Sequence, residues 1–273
     1  MKTTYIHFLG ALILSAIGLT SCEKVIDVDI KDSASQLVIE GTVVDNADMQ
    51  TIKLSRSVAY TEDNTYPPVS GAQVVVTDSR GFEHNYVERL PGVYISSFKG
   101  EPTVTYNMLV KVDGKDYTAK STMPRPVELD SLSVTEVTFG GEDRKIVAVH
   151  YKDPAEFVNQ YRFVMWVNGI QTRRVYANND RLTNGNDVKD ELFYSSDDDN
   201  KEIVDGDAVE IEMQSIDEPM YKYWVTIADQ SQNGPGGGVT PGNPPTNVNN
   251  NALGYFSAYV SRRKTITIRE TGQ

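Results

Sequence analysis

From Gln36 onward apolar residues fall at every second position in short runs, and Gly, Pro, Asn or Asp separates one run from the next. Alternation of this kind marks half-buried strands, because successive side chains of a strand point to opposite faces. Leu37 to Val44 reads as a strand stopped by Asp45-Asn46. Met49 to Val58 gives a second, with Ile52, Leu54 and Val58 inward and Lys53 and Arg56 outward. Pro67-Pro68 has no ladder donors and predicts a loop. Strands follow at Gly71 to Asp78, Phe82 to Glu88, Val93 to Ser96, Tyr106 to Val112 and Lys115 to Ser121, with Gly81, Gly92 and Gly114 in the turns between them.

Met123-Pro124-Arg125-Pro126 is stiff and poor in donors, and predicts a junction. Beyond it, strands are expected at Leu129 to Phe139, Lys145 to Tyr151, Tyr161 to Val167, Gln171 to Tyr176, Val209 to Met213 and Thr265 to Arg269, with Asn168-Gly169 as a type I′ turn. Ala252 to Val260 adds a further apolar stretch. Helical spacing occurs once, where Met220, Tyr223, Trp224 and Ile227 share a face after Ser215 or Asp217 as a cap. That stripe reads as a helix packed on a sheet, with a ligand platform as the alternative. The expected fold is therefore mainly β, with two Ig-like β-sandwich modules over 36–124 and 125–273. The second carries one packed helix near 217–231, and a Gly/Pro/Asn-rich loop spans 233–251, either a binding loop or a permissive insertion.

The N-terminus follows another pattern. Lys2 precedes an almost wholly apolar run from Tyr5 to Leu19, and Leu19-Thr20-Ser21-Cys22 follows. A positive start, a short apolar run and small residues before a cut describe a secretory signal, here 1–21. Leu-Thr-Ser-Cys resembles the bacterial lipobox. That resemblance implies cleavage before Cys22, a diacylglycerol on its sulfur and an acyl chain (palmitate, for instance) on its amine. Residues 22–35 would then be a lipidated tether holding the protein to a membrane.

Composition narrows the partners. The net charge is −12, and loss of a leader carrying Lys2 and no acid makes the remainder one unit more negative. Such a surface repels phosphate backbones, so nucleic acid is not an expected partner. Cys22 is the only cysteine, so its acylation leaves no thiol for a disulfide or a nucleophile. His84 and His150 lie in separate predicted strands, neither with a nearby His, Cys or closely spaced ligand set, and no nucleophile elbow or phosphate loop is present. No catalytic residue, cofactor or firm metal site is expected. Ala177 to Lys201 is acidic and amide-rich and reads as a solvated loop, with Asp197, Asp198 and Asp199 as its calcium candidates. Tyr255, Phe256 and Tyr259 are the candidate ligand or partner contacts, although their alternation turns at least half of such positions to the core.

Two resemblances build on these segments. The order Val-Ser-Gly-Ala-x-Val, Pro-Gly-x-Tyr and Asp-Gly-x-x-Tyr looks like carboxypeptidase-regulatory or transthyretin-like modules, which are mostly scaffolds and binding modules. The lipobox Cys22 followed by VIDVD, LVIEG, YPPVSGAQVVVTD, PGVY, STMP and NPPTNV…ALGYFSAY resembles the DUF4249 family of Bacteroidetes envelope lipoproteins. The Gly-Pro-Gly-Gly-Gly insertion before Pro241 departs from that pattern. The resemblance implies a non-catalytic accessory of a TonB-dependent outer-membrane receptor, handling a small-molecule or oligomeric nutrient. It is expected at the outer membrane, at the cell surface rather than the periplasmic face. A structural or adhesive surface lipoprotein is the alternative.

Overall fold

The protein is described by a computed structural model covering residues 35–59, 65–139, 141–194, 202–232 and 242–269. The signal segment, Cys22, the tether up to residue 34 and Asp197, Asp198 and Asp199 lie outside the described residues. One long sheet runs in the order β11-β10-β14-β15-β1-β2-β5-β4-β3-β6-β7, with β12 also paired to β10. Its strands are β1 (Leu37–Val44), β2 (Met49–Arg56), β3 (Gln73–Asp78), β4 (Glu83–Leu90), β5 (Val93–Ser97), β6 (Thr105–Val112), β7 (Lys115–Thr122), β10 (Gln160–Val167), β11 (Ile170–Gln171), β12 (Tyr176–Asn179), β14 (Ala208–Ser215) and β15 (Leu253–Thr267). A second sheet has the order β13-β9-β8, from β8 (Ser131–Phe139), β9 (Glu142–Lys152) and β13 (Asp187–Leu192). Helix α1 (Glu218–Gln232) is the one helix among the described residues.

The alternation seen in the sequence is realised as packing. Leu37, Ile39 and Val43 of β1 point inward with Ile52 and Leu54 of β2, Val74 and Val76 of β3 and Met108 and Val110 of β6. The long sheet bends back at β4, where the register with β5 shifts between Glu88 and Leu90, and so encloses this first core. Ser121 on β7 then meets β15, accepting a hydrogen bond from Ala258 N at 2.8 Å. The second core lies between β10 and β14 on one side and β9 and β13 on the other, around Val147, Val149, Tyr161, Phe163, Met165 and Ile211. The molecule is a mainly β protein with a sandwich-like arrangement of sheets.

The structure does not divide at residue 124. Residues from Ser35 onward form one compact unit. Val248, Ala252, Phe256, Ala258 and Val260 complete the first core from the far end of the chain. The link is β15, expected as two separate elements but in fact one strand of 15 residues. It pairs parallel with β1 from Val38↔Leu253 to Val44↔Tyr259 and antiparallel with β14 from Ser215↔Val260 to Ala208↔Thr267.

Two other expectations are corrected. The acidic stretch after Ala177 contains β13, which pairs with β9 from Leu192↔Val147 to Asp187↔Lys152. Only Val188 and Leu192 face the core from this edge strand, so the sequence gives almost no alternation. The described part of the loop, residues 242–251, is ordered rather than flexible. Asn247 Oδ1 accepts from Phe256 N, and its Nδ2 donates to the carbonyls of Phe256 and Lys120. Asn249 Oδ1 accepts from Thr118 N, and Asn250 donates to Asp116 O. Side-chain amides here do the work of a missing strand partner for β7, which is why an Asn-rich composition does not imply a solvated chain.

Candidate groove on the outer face of β1 and β15

The parallel pairing of β1 with β15 builds a groove of about 470 Å³ on the face turned away from the first core. Its floor is Val38 and Glu40 from β1 with Leu253 and Gly254 from β15. Ser55, Ser57 and Val58 line one side, next to Tyr66. Tyr223 of α1 and Asn243-Pro244 line the other. Gly254 makes the close pairing feasible: its φ is +88°, and a Cβ there would lie 2.0 Å from the Ile39 carbonyl oxygen. The Tyr66 wall is fixed by backbone bonds that ask nothing of proline, since Pro67 O accepts from Arg56 N and Val69 N donates to Leu54 O.

Behind the groove, α1 covers the sheet with an aromatic cluster. The ring centroids of Tyr223, Trp224 and Tyr255 are 5.0–5.2 Å apart. The Arg162 guanidinium sits 3.6 Å above the Trp224 ring, and its Nη1 donates to Gln214 Oε1 at 3.1 Å. Burial lowers the pKa of Arg162, while the surrounding tyrosines and Glu212 oppose that shift. Burial also pushes the Tyr223 phenol up to about 12, with Tyr255 and the nearby Glu40 carboxylate adding to the rise. The helix is anchored by Asp217 rather than Ser215, which ends β14 and is buried. Asp217 Oδ1 accepts from Met220 N, and Oδ2 from Ser121 Oγ and Thr122 N, tying the cap to β7.

This cap yields a pH prediction. Burial raises the Asp217 carboxyl above its ordinary 3.8, against the hydrogen bonds that lower it. The folded state therefore holds this proton more tightly than the unfolded chain does. Its contribution to stability is fully present below the unfolded value and is lost as pH rises through the folded one. Asp217→Asn keeps a carbonyl acceptor and cannot ionise, so it should remove that dependence. Urea unfolding of both proteins between about pH 3.5 and 6 reads it, and a stability difference constant across that window would refute the assignment.

The predicted contacts separate. Tyr255 and Tyr259 are half-buried beneath α1 and belong to its apolar cluster, whereas Phe256 is wholly buried in the first core and cannot touch a ligand. Glu40, Tyr66 and Asn243 escaped the sequence reading, whereas Tyr223 belongs to the helical stripe read there as packing with a ligand platform as the alternative. A signal was present: a charged residue amid the outer positions of β1, and two X-Pro-Pro segments, Tyr66-Pro67-Pro68 and Asn243-Pro244-Pro245, that face each other only in the fold.

A second, smaller groove of about 310 Å³ lies by Tyr151, Asn178, Asn179, Leu182, Asp190 and Tyr221. Its polar groups are engaged with one another, Asn178 with Asp190 and Asn179 with Tyr221. Elsewhere His150 Nε2 and Ser133 Oγ are 2.7 Å apart, and among the described residues no carboxylate bonds the other ring nitrogen. The described residues contain no group of three or more His, Cys, Asp or Glu able to hold a metal.

Fold and groove define a class: a β-sandwich protein with a helix-backed surface groove built where β1 and β15 meet. Within that class the chain belongs to the DUF4249 family, described as a domain of unknown function, whose model matches residues 23–265. A comparison with curated proteins finds no match.

Proposed function

We propose that this protein is a lipid-anchored, non-catalytic envelope protein that binds a ligand in the β1/β15 groove and serves as an accessory of a TonB-dependent outer-membrane receptor. The observation that carries the binding role is convergence. LVIEG supplies Val38 and Glu40, YPPV supplies Tyr66, NPPT supplies Asn243 and Pro244, and ALGY supplies Leu253 and Gly254. Segments far apart in the chain, each carrying the family resemblance, meet around one concave site of the size that small ligands occupy. Tyr66 and Tyr223 give it aromatic walls, as binding sites commonly have.

Attachment through Cys22 fits the position of the groove. Ser35 Oγ donates to Ser57 O, and Gln36 N donates to Ser57 Oγ, so the chain reaches β1 beside a residue lining the groove. The stretch from Cys22 to Ser35 reaches at most about 45 Å when fully extended. An anchored Cys22 keeps the groove within that distance of the membrane, where a receptor could receive what it holds. The cell surface is the proposed location, and a bacterium of the Bacteroidetes the proposed source.

The test is a detergent pull-down of the lipidated protein, tagged at Gln273 and read by mass spectrometry. Stoichiometric recovery of one TonB-dependent receptor is the expected result. Recovery of nothing, or only of further copies of this chain, would remove the accessory role, and the second outcome would favour a structural or adhesive surface protein. Cys22→Ser should release the protein from the membrane fraction, and retention there would refute the anchor.

A further inference from the structure

We propose that the groove selects ligands by a cationic nitrogen, a primary ammonium or guanidinium group seated against the Glu40 carboxylate between the Tyr66 and Tyr223 rings. This rests on the reading of the groove as the ligand site. The charge of the lining decides the sign of the ligand. Among the described lining residues Glu40 is the only acid, and none is a base. An anionic ligand would meet a like charge, and none of the described lining residues supplies a compensating cation.

The Glu40 side chain makes no hydrogen bond or ion pair among the described residues, and Lys53, directly opposite it on β2, forms no ion pair with it. The buried cation Arg162, behind the groove, is committed to the Trp224 ring and to Gln214. A carboxylate beside Val38, Leu253 and two phenol rings is flanked by surface that a bound ligand would dry, which strengthens its attraction for a cation. Tyrosine faces attract the same charge, because a cation within about 6 Å of an aromatic centroid interacts favourably with its quadrupole. The hydroxyls of Ser55 and Ser57 and the amide of Asn243 can bond the neutral part of such a ligand. A volume of about 470 Å³ suits a basic amino-acid side chain with the backbone that carries it.

The probe is a blocked tripeptide with a central lysine, compared with its acetyl-lysine twin, which has the same shape in outline and no charge. Binding is followed by calorimetry with the full soluble chain lacking the lipid. The lysine peptide is expected to bind, to weaken as salt is added, and to exceed the acetylated twin at least about tenfold in affinity. Glu40→Gln should cost a similar factor. Glu83→Gln, which removes an equal charge from an exposed position on β4 outside the groove, should leave binding unchanged. Tyr66→Ala, at a residue 55% exposed, provides a second variant whose folding is not at risk and should also weaken binding. Equal affinity for the two peptides, no binding of the charged one, or loss in Glu83→Gln matching that in Glu40→Gln would each overturn the proposal. Receptor recovery by Glu40→Gln protein in the pull-down separates the two readings. A receptor retained while peptide recognition fails in the wild type removes the cation specificity and leaves the accessory role intact.

Discussion

Gly254→Ala is expected to separate β15 from β1 and to lower stability by about 3–4 kcal/mol, the range of strain plus a forced backbone shift. The residue has φ +88°, a conformation that L side chains rarely adopt, and its Cβ would stand 2.0 Å from the Ile39 carbonyl oxygen and 2.8 Å from its carbon. Neither contact can relax by a rotamer change, because the obstructing atoms are backbone. The register from Val38↔Leu253 to Val44↔Tyr259 would have to open at its start, and the groove floor with it. Urea unfolding followed by tryptophan fluorescence measures the loss. A midpoint within error of the wild type would mean that β15 does not approach β1 this closely.

Phe256→Ala is expected to cost about 3–5 kcal/mol, the usual price of truncating a large aromatic in a core that cannot collapse. Phe256 is 0% exposed and packs over Gly41, whose absent Cβ would lie 2.9 Å from the Phe256 ring. Its backbone N and O are both bonded to the Asn247 amide, so the site is held open while the side chain is removed. Tyr255→Ala should cost less, because the neighbouring side chain is half-buried between α1 and the groove rather than enclosed. Thermal unfolding of the two variants side by side gives the order. A larger loss at Tyr255 would invert the assignment of the two faces. Of these two candidate contacts, Phe256 is a core residue, and Tyr255 contributes to the helix–sheet cluster behind the groove.

The balance between chain pattern and fold can be traced residue by residue. Local rules place β1 to β7 within a residue or two of the expected strands, because each has a buried face and a turn signal beside it; the turns Asp113-Gly114 between β6 and β7 and Asn168-Gly169 between β10 and β11 adopt positive φ as type I′ geometry requires. The helix is equally legible from the spacing of Met220, Tyr223 and Trp224. Where alternation fails, so does the reading. Edge strand β13 buries two apolar residues, and the 242–251 stretch gains its order from amides bonded to β7 more than a hundred positions earlier.

By itself, then, the sequence determined the β class, most of the strand and turn positions and the packed helix, since these follow from side-chain period and backbone preference within a few residues. The proposal of a lipidated Cys22 likewise rests on a local pattern. Only the tertiary structure decided that β1 and β15 pair in parallel, that β15 serves two cores, and that Glu40, Tyr66, Tyr223 and Asn243 surround one groove. Those residues are brought together by long-range closure of the sheet, and no local preference records which distant strand a given strand will meet.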